Sequence, residues 1–188
     1  HFFSSVISGI DDMANAAGYN TMICQTNESM EREQKSLQTM LDNRIDGLLI
    51  SISKGTTSFE HLHSLMNTEM PVVFFDRVCD EIPSHRVITD DFEGARIATK
   101  HLIDIGCRRI VHLTGAPSLV ISKQRLDGYK TALMEAGIAV DESLIIEADS
   151  DFLFNRAEDK LITIAPEIDG VFAINDSTAI AAMKLFQK

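Results

Sequence analysis

The chain has 188 residues, of which 45% are hydrophobic and 24% are charged, so it can bury a core and is not a disordered segment. Seventeen basic residues against twenty-eight acidic ones give a net charge of -11, which leaves no basic surface for nucleic acid or an anionic membrane. No stretch approaches the ~18 consecutive apolar residues of a membrane helix. Cys24, Cys79 and Cys107 are interpreted as buried reduced thiols, which are typical of a cytoplasmic protein.

The first predicted element is an amphipathic helix over the first 17 residues, which starts with two adjacent phenylalanines. Apolar residues at three- and four-residue intervals form one stripe, and Gly18 supplies a stop. A helix with so apolar a stripe is expected to lie on a sheet, yet no strand precedes it in the sequence. We therefore expect a strand to be missing in front of His1.

Short apolar segments then alternate with helical segments along the rest of the chain. Two of the helical segments end at Gly106 and Gly137, where glycine can adopt the left-handed cap conformation. Continuous apolar strands joined by helices are typical of a parallel sheet covered on both faces, so the sequence predicts a doubly wound α/β fold. The predicted strands lie at residues 21–26, 46–52, 71–77, 86–90, 108–115, 144–149 and 170–176.

Polar and aromatic side chains follow several of these strands at the point where each strand ends. Ligands of such sheets bind at the carboxyl ends of the strands. Carboxylates, an amide, an arginine and aromatic rings can together hold adjacent hydroxyls and the C–H face of a sugar ring. Each acid could instead cap the following helix, as Asp176 could for residues 177–186. The strand-end candidates are Asp76, Arg77, Asp90, Asp91, Asp149, Asp151, Phe152, Phe154, Asn175 and Asp176.

Other kinds of functional site have little support in the sequence. His61 and His63 are two residues apart on a predicted helix, so they point away from each other and are interpreted as solvated surface. The glycine-rich phosphate-binding motifs GxGxxG and GxxxxGK(S/T) are both absent from the sequence, and no local context marks a catalytic Ser–His–Asp or Cys–His set. Cys107, beside Arg108 and Arg109, could be an activated thiol. The sequence predicts no enzyme activity, no metal site and no cofactor.

Six segments of the chain, in this order, carry a resemblance to a known family. They are HFFSSVISGIDDMANAAGYN, RIDGLLI, PVVFFDR, DDFEGARIATKHLIDIGCRRIVHLTG, QRLDGYKTAL and DGVFAINDSTAIAAM. Together they resemble the effector-binding domain of the lactose-repressor and galactose-repressor family of bacterial transcriptional regulators, which has a periplasmic-binding-protein-like fold of type I. The resemblance covers nearly the whole chain. It implies two doubly wound parallel-sheet lobes, here incomplete at both ends.

The resemblance also implies how the domain is divided and what it binds. Residues 1–107 would form the first lobe, without its first strand, and residues 108–188 an incomplete second lobe. The protein would be a cytoplasmic repressor that responds to a small, sugar-like effector and has no membrane partner. Operator DNA would bind through an N-terminal helix-turn-helix absent from this chain, and two-fold related half-sites would require a homodimer. The alternative is an extracytoplasmic sugar-binding protein of a transport system.

In the first lobe, the resemblance implies ligand contacts from aromatic and charged side chains. Phe2 and Phe3 stand in aromatic positions that flank the cleft, although Phe3 could simply be the first core residue of its helix. Asp76, with Arg77 beside it, matches a position that holds ring hydroxyls in sugar-binding relatives.

In the second lobe, Arg125 matches the ligand arginine of the family, whose planar fork can bridge two oxygens. The alternative for Arg125 is an ion pair across its own helix to Asp127 or Glu135. Phe152 matches an aromatic wall of the pocket, and Asp176 matches an acid that accepts hydrogen bonds from ligand hydroxyls. The remaining candidates are Asp91, Phe154 and Asn175.

Overall fold

The computed structural model describes residues 2–67, 70–149 and 151–187, and the strands in those residues form two three-stranded sheets. All the pairings between these strands are parallel, so the predicted α/β class with parallel sheets is confirmed. The first sheet has the order β1 (Leu48–Ile50), β2 (Val72–Phe75), β3 (His85–Val87). The second has the order β5 (Ile145–Glu147), β4 (Ile110–Thr114), β6 (Gly170–Ala173).

Helices precede the first sheet and connect most of the strands. Gly18, Gly106 and Gly137 follow α1, α4 and α5 and adopt positive φ angles of 82°, 111° and 70°, so the predicted glycine stops are confirmed. The helices are α1 (Phe2–Ala16), α2 (Met30–Asp42), α3 (Glu60–His63), α4 (Asp91–Asp104), α5 (Val120–Glu135), α6 (Asp151–Ile164) and α7 (Asp176–Phe186).

The second sheet is covered on both faces, as its central strand β4 shows. Val111 and Leu113 point to one face and pack with residues of α6 and α7. Ile110 packs on the other face with residues of α4 and α5, and His112 stacks there on Tyr129. This alternation places a buried core on each side of the sheet.

The first sheet has one buried core in the described residues. Leu48 and Phe74 pack there with Leu37 of α2 and Leu62 of α3. Leu49 points to the opposite face and is exposed. Helix α1 buries none of its residues, so the expected packing of its apolar stripe on a sheet is not found in the described residues.

Residues 21–26, which were predicted to be a strand, form no regular secondary structure. Met22 and Ile23 are 48% and 61% exposed, and none of the strands in the described chain pairs with this segment. An extended apolar segment becomes a strand only when a neighbour satisfies its backbone groups. The segment leads instead into a turn in which Asn27 and Glu28 adopt φ angles of 51° and 61°.

The cysteines are free thiols, as predicted. Burial was predicted for all of them and is found only for Cys79, whereas Cys24 and Cys107 are partly exposed. The Cys107 thiol donates a hydrogen bond to the Asp169 carbonyl at 3.0 Å, so the thiol has a structural partner.

Helix α4 packs against the second sheet, although it lies within the segment predicted to form the first lobe. Ile103 of α4 joins the core formed by Ile110 of β4 with Tyr129 and Leu133 of α5. We call each sheet, together with the helices that pack on it, a sheet unit. The chain passes from the first sheet unit to the second between the end of β3 and the start of α4.

Helices α4 and α5 approach each other closely at Gly128. A Cβ at this position would lie 2.3 Å from the Phe92 carbonyl oxygen and 2.9 Å from the Ala95 Cβ. Gly128→Ala is expected to lower the free energy of unfolding by about 2 kcal/mol, because overpacking outweighs the better helix propensity of alanine. Urea unfolding measures this change. Gly94→Ala is the matched control: nothing lies within 4 Å of its added methyl, so stability should not fall. Equal losses in the two variants would contradict the prediction.

Candidate functional site

The carboxyl ends of strands from both sheets meet at one edge of the protein. Lys54 follows β1, and Asp149 follows β5. The Lys54 Nζ lies 2.8 Å from the Asp149 Oδ2 and 3.3 Å from the Asp149 carbonyl oxygen. The Asn175 side-chain amide, after β6, donates a hydrogen bond to the Asp149 Oδ1. We call this edge the strand-end site. Its polar residues are Glu28, Lys54, Asp76, Arg77, Asp91, Arg125, Asp149, Asn175 and Asp176.

Asp76 follows β2 directly and has a left-handed backbone with a φ of 59°. Such a conformation is uncommon outside glycine and tends to occur at functional sites. Burial raises the pKa of Asp76, while the positive charges of Arg77 and Arg125 oppose that effect. Asp76 thus interacts electrostatically with one arginine from each sheet unit, although the two arginines lie 48 residues apart in sequence.

Arg77 is buried next to Asp76 and forms ion pairs with both Asp76 and Glu28. Its Nη1 donates to the Glu28 Oε2 at 2.7 Å. Burial acts to raise the pKa of Glu28, but hydrogen bonds from Arg77 and from the Lys54 backbone outweigh it and lower the pKa. The Arg77 Nε is buried without a hydrogen-bond acceptor among the described residues, and it lies 3.7 Å from the Asp76 Oδ2.

Phe2 and Phe3 lie at the rim of the same site. Their rings are 54% and 37% exposed and contact each other edge to face at 5.3 Å between centroids. The Phe3 ring lies 6.2 Å from that of Phe75 and 5.4 Å from the Arg77 guanidinium carbon. Phe3 is therefore not a buried core residue of its helix; both phenylalanines are exposed, and Phe3 lies beside Arg77.

Arg125 connects α5 to α4 and to the end of β6. Its Nε and Nη2 lie 2.8 Å and 2.6 Å from the Asp91 Oδ1, and its Nη1 donates to the Ile174 carbonyl. The alternative of an ion pair across its own helix to Asp127 or Glu135 is wrong, because Arg125 pairs with Asp91 of α4. The planar guanidinium thus uses its donors within the protein.

A cavity of ≈110 Å³ lies between the two sheet units at this edge. Side chains from the first sheet form one wall, and side chains from α4 and α5 form the other. Its lining residues are Asp76, Val78, Asp80, Arg86, Ile88, Asp91, Val120, Ile121 and Gln124.

The remaining candidates of the second sheet differ in position and burial. Asn175 caps α7, because its side-chain oxygen accepts from the Thr178 N–H at 2.9 Å, so the capping role considered for Asp176 belongs to Asn175. Asp176 is exposed in the first turn. Phe154 is buried in the core of the second sheet rather than at the site. The Phe152 side chain lies outside the described residues.

Sequence reasoning named Asp149 as a strand-end candidate but did not assign Glu28 or Lys54 to the site. Lys54 follows β1, so applying the strand-end rule to every predicted strand would have found it as well. Glu28 lies in a turn before α2, and nothing local marks it as a partner of Arg77.

A buried carboxylate supports the loop that carries Lys54. Glu33 of α2 accepts hydrogen bonds from the Ser53 N–H at 2.6 Å and the Thr56 hydroxyl at 2.9 Å, and it contacts the His61 Nε2 at 2.8 Å. The interpretation of His61 as solvated surface is therefore wrong, whereas His63 is exposed as predicted.

Two parallel sheets whose strand ends share a polar site define a small-molecule-binding protein of the α/β class. The family described as "Periplasmic binding proteins and sugar binding domain of LacI family" matches residues 1–188, so the chain belongs to this family. No helix in the described ranges is long and apolar enough to cross a membrane.

The relatives of this chain include repressors and solved regulator structures. It is 33% identical over 187 residues to the ribose operon repressor of Halalkalibacterium halodurans, covering 97% of this chain and 53% of the repressor. The transcription regulator CcpA of Lactococcus lactis is similar in structure, with a TM-score of 0.87, 26% identity and coverage of 98% of this chain and 67% of CcpA.

A further solved relative contains a bound sugar. This periplasmic binding protein/LacI transcriptional regulator of Alkaliphilus metalliredigens is complexed with D-xylulofuranose. It has a TM-score of 0.79 and 26% identity, with coverage of 99% of this chain and 67% of that one. The chain spans about half the length of the curated relatives it matches.

Proposed function

We propose that this chain is the effector-sensing part of a transcriptional repressor and that the strand-end site binds the effector. One observation carries the proposal: side chains of both sheet units converge at this site, with Asp76 from the first facing Asp91 and Arg125 from the second. A sugar-like effector is supported by the family and by the relatives that act on a ribose operon or hold a sugar. The role is one of binding rather than catalysis.

The two sheet units would be the two lobes of this sensor. We place their boundary at residues 88–90, instead of after residue 107, because α4 packs with the second sheet. Lys54 and Asp149 then form an ion pair between the lobes.

Effector binding would change how the lobes meet. The cavity of ≈110 Å³ is smaller than the roughly 300–1,000 Å³ of most ligand pockets, so a sugar fits only if the lobes move relative to each other. A ligand shifts such an equilibrium by its difference in affinity for the two arrangements. Contacts to both lobes therefore provide the coupling that a sensor requires.

The other parts of the function concern the whole protein. Operator DNA would bind through a segment outside this chain, because the net charge of -11 is unsuited to a phosphate backbone. Paired half-sites in the operator favour a homodimer. A repressor that binds operator DNA would act in the cytoplasm, where bacterial DNA lies. A transport role is less well supported, since the matched curated relatives are repressors.

Asp76→Asn is expected to weaken sugar binding by the full-length protein about 10- to 100-fold, because a neutral amide accepts a ligand hydroxyl less strongly than a carboxylate. Calorimetric titration with D-ribose and D-xylulose measures the dissociation constants of wild type and variant. The matched control is Asp104→Asn, which removes a surface carboxylate paired with Lys100. Failure of the wild type to bind either sugar, or unchanged binding by Asp76→Asn, would contradict the proposed function.

A further inference from the structure

We propose that the strand-end site accepts a sugar without a phosphate group and rejects the phosphate ester of the same sugar. This inference rests on the proposed function and narrows the class of effector. It follows from which charges at the site are already paired, and from which kind of hydrogen bond the remaining groups can form.

Each basic side chain of the strand-end site already has a carboxylate partner. A phosphate bound by an arginine or a lysine would have to displace that carboxylate, which then remains nearby as a like charge. The pairs are Arg77–Glu28 at 2.7 Å, Arg125–Asp91 at 2.6 Å and Lys54–Asp149 at 2.8 Å.

The charges that remain available are negative. Asp76 forms an ion pair with the Arg77 Nε at 3.7 Å but no hydrogen bond to it, and Asp176 is exposed with no ion pair among the described residues. In the adjoining cavity, Arg86 is likewise paired, with Asp80. An incoming phosphate would therefore meet carboxylates that can still accept hydrogen bonds, rather than free cations.

Hydrogen-bond chemistry favours the same ligand. Carboxylates only accept hydrogen bonds, so Asp76 and Asp176 require a ligand that donates, which a hydroxyl does and a phosphate dianion does not. The buried Arg77 Nε has no hydrogen-bond acceptor in the part of the chain that the structure describes, and it lies beside Asp76. One ligand hydroxyl can accept from that N–H and donate to the carboxylate, provided that a small shift opens the space between them.

Apolar side chains complete the cavity. Val78 and Ile88 from the first sheet unit face Val120 and Ile121 of α5. These side chains suit the C–H face of a sugar ring and leave a phosphate group without solvation. The cavity thus combines hydroxyl acceptors with apolar contacts.

The first test compares matched pairs of ligands on the full-length protein. Calorimetry with D-ribose and D-ribose 5-phosphate, and with D-xylulose and D-xylulose 5-phosphate, is run at one ionic strength. We expect a bound sugar to exceed its phosphate ester in affinity by at least tenfold. An ester that binds as tightly as its sugar overturns this inference and leaves the proposed function standing. The absence of binding by all of these compounds overturns both.

The second test uses inorganic phosphate and needs no known effector. Phosphate should not raise the melting temperature of the wild type above that in sodium chloride of equal ionic strength. Glu28→Gln frees Arg77, and the Glu28 side chain is partly exposed, so the variant is expected to fold and to be stabilised by phosphate. Stabilisation of the wild type, or no difference between wild type and Glu28→Gln, would overturn the inference.

Discussion

Arg125→Ala is expected to lower the free energy of unfolding by about 3 kcal/mol. The substitution removes the hydrogen bond from the Arg125 Nε to Asp91, the ion-pair contact from its Nη2 to the same carboxylate and the hydrogen bond to the Ile174 carbonyl. The Asp91 carboxylate, whose side chain is 7% exposed, is then left without its counterion. Removal of one partner from a buried ion pair costs ~3–5 kcal/mol, and partial exposure of Arg125 places the loss at the lower end of that range.

Urea unfolding of Arg125→Ala, Asp91→Asn and the double variant measures this loss and its origin. The double variant should be more stable than the sum of the single losses predicts, because neither charge is then left unpaired. Arg96→Ala is the matched control: Arg96 pairs with two carboxylates, Glu93 and Glu135, but these are exposed, so a much smaller loss is expected than for Arg125. Similar losses for Arg96 and Arg125 would show that the pairing with Asp91 has no special weight.

The second large effect is a loss of stability in mild acid, caused by His112. Burial lowers the pKa of His112 to about 4 from 6.5, with Arg125 adding to the effect and a hydrogen bond to the Phe172 carbonyl opposing it. The unfolded chain binds a proton on this histidine below about pH 6.5, whereas the folded protein does not until about pH 4. Stability therefore falls as the pH falls through this window, by about 3 kcal/mol in total.

The unfolding free energy measured from pH 7.5 to pH 4.5 tests this dependence. His112 stacks on Tyr129 and Phe172 at 5.1 Å and 4.7 Å between centroids, so His112→Phe retains the shape of the stack. This variant also removes the buried Nε2, which has no hydrogen-bond partner among the described residues. Its stability should fall less steeply than that of the wild type between pH 6.5 and pH 4.5. Parallel curves for the two proteins would exclude His112 as the cause.

The sequence pattern predicted all six strands of the described residues and one further segment that forms no strand. β4 was found because each residue of IVHL enters a core on one face or the other. Residues 21–26 have the same apolar character but no hydrogen-bonding neighbour in the described chain. Local pattern reports the capacity to form a strand, whereas pairing depends on residues far away in the sequence.

The same limit applies to the candidate site. The strand-end rule placed Asp76, Arg77, Asp149 and Asn175 at one edge of the protein, because topology alone brings strand ends together. It could not reveal that Lys54 pairs with Asp149, a contact between residues 95 positions apart. Nor could it show that Arg125 is held by Asp91, since several acids near Arg125 in sequence were equally plausible partners. Ion-pair partners follow from the tertiary fold.

The buried Glu33 carboxylate has a consequence for the thermodynamics of ligand binding. By holding Ser53, Thr56 and His61, it fixes the loop that carries Lys54 while the protein folds. The conformational entropy of this loop is thus lost before any ligand arrives. A ligand that contacts Lys54 then meets a preorganised side of the site, and less of its interaction energy is consumed in ordering the chain.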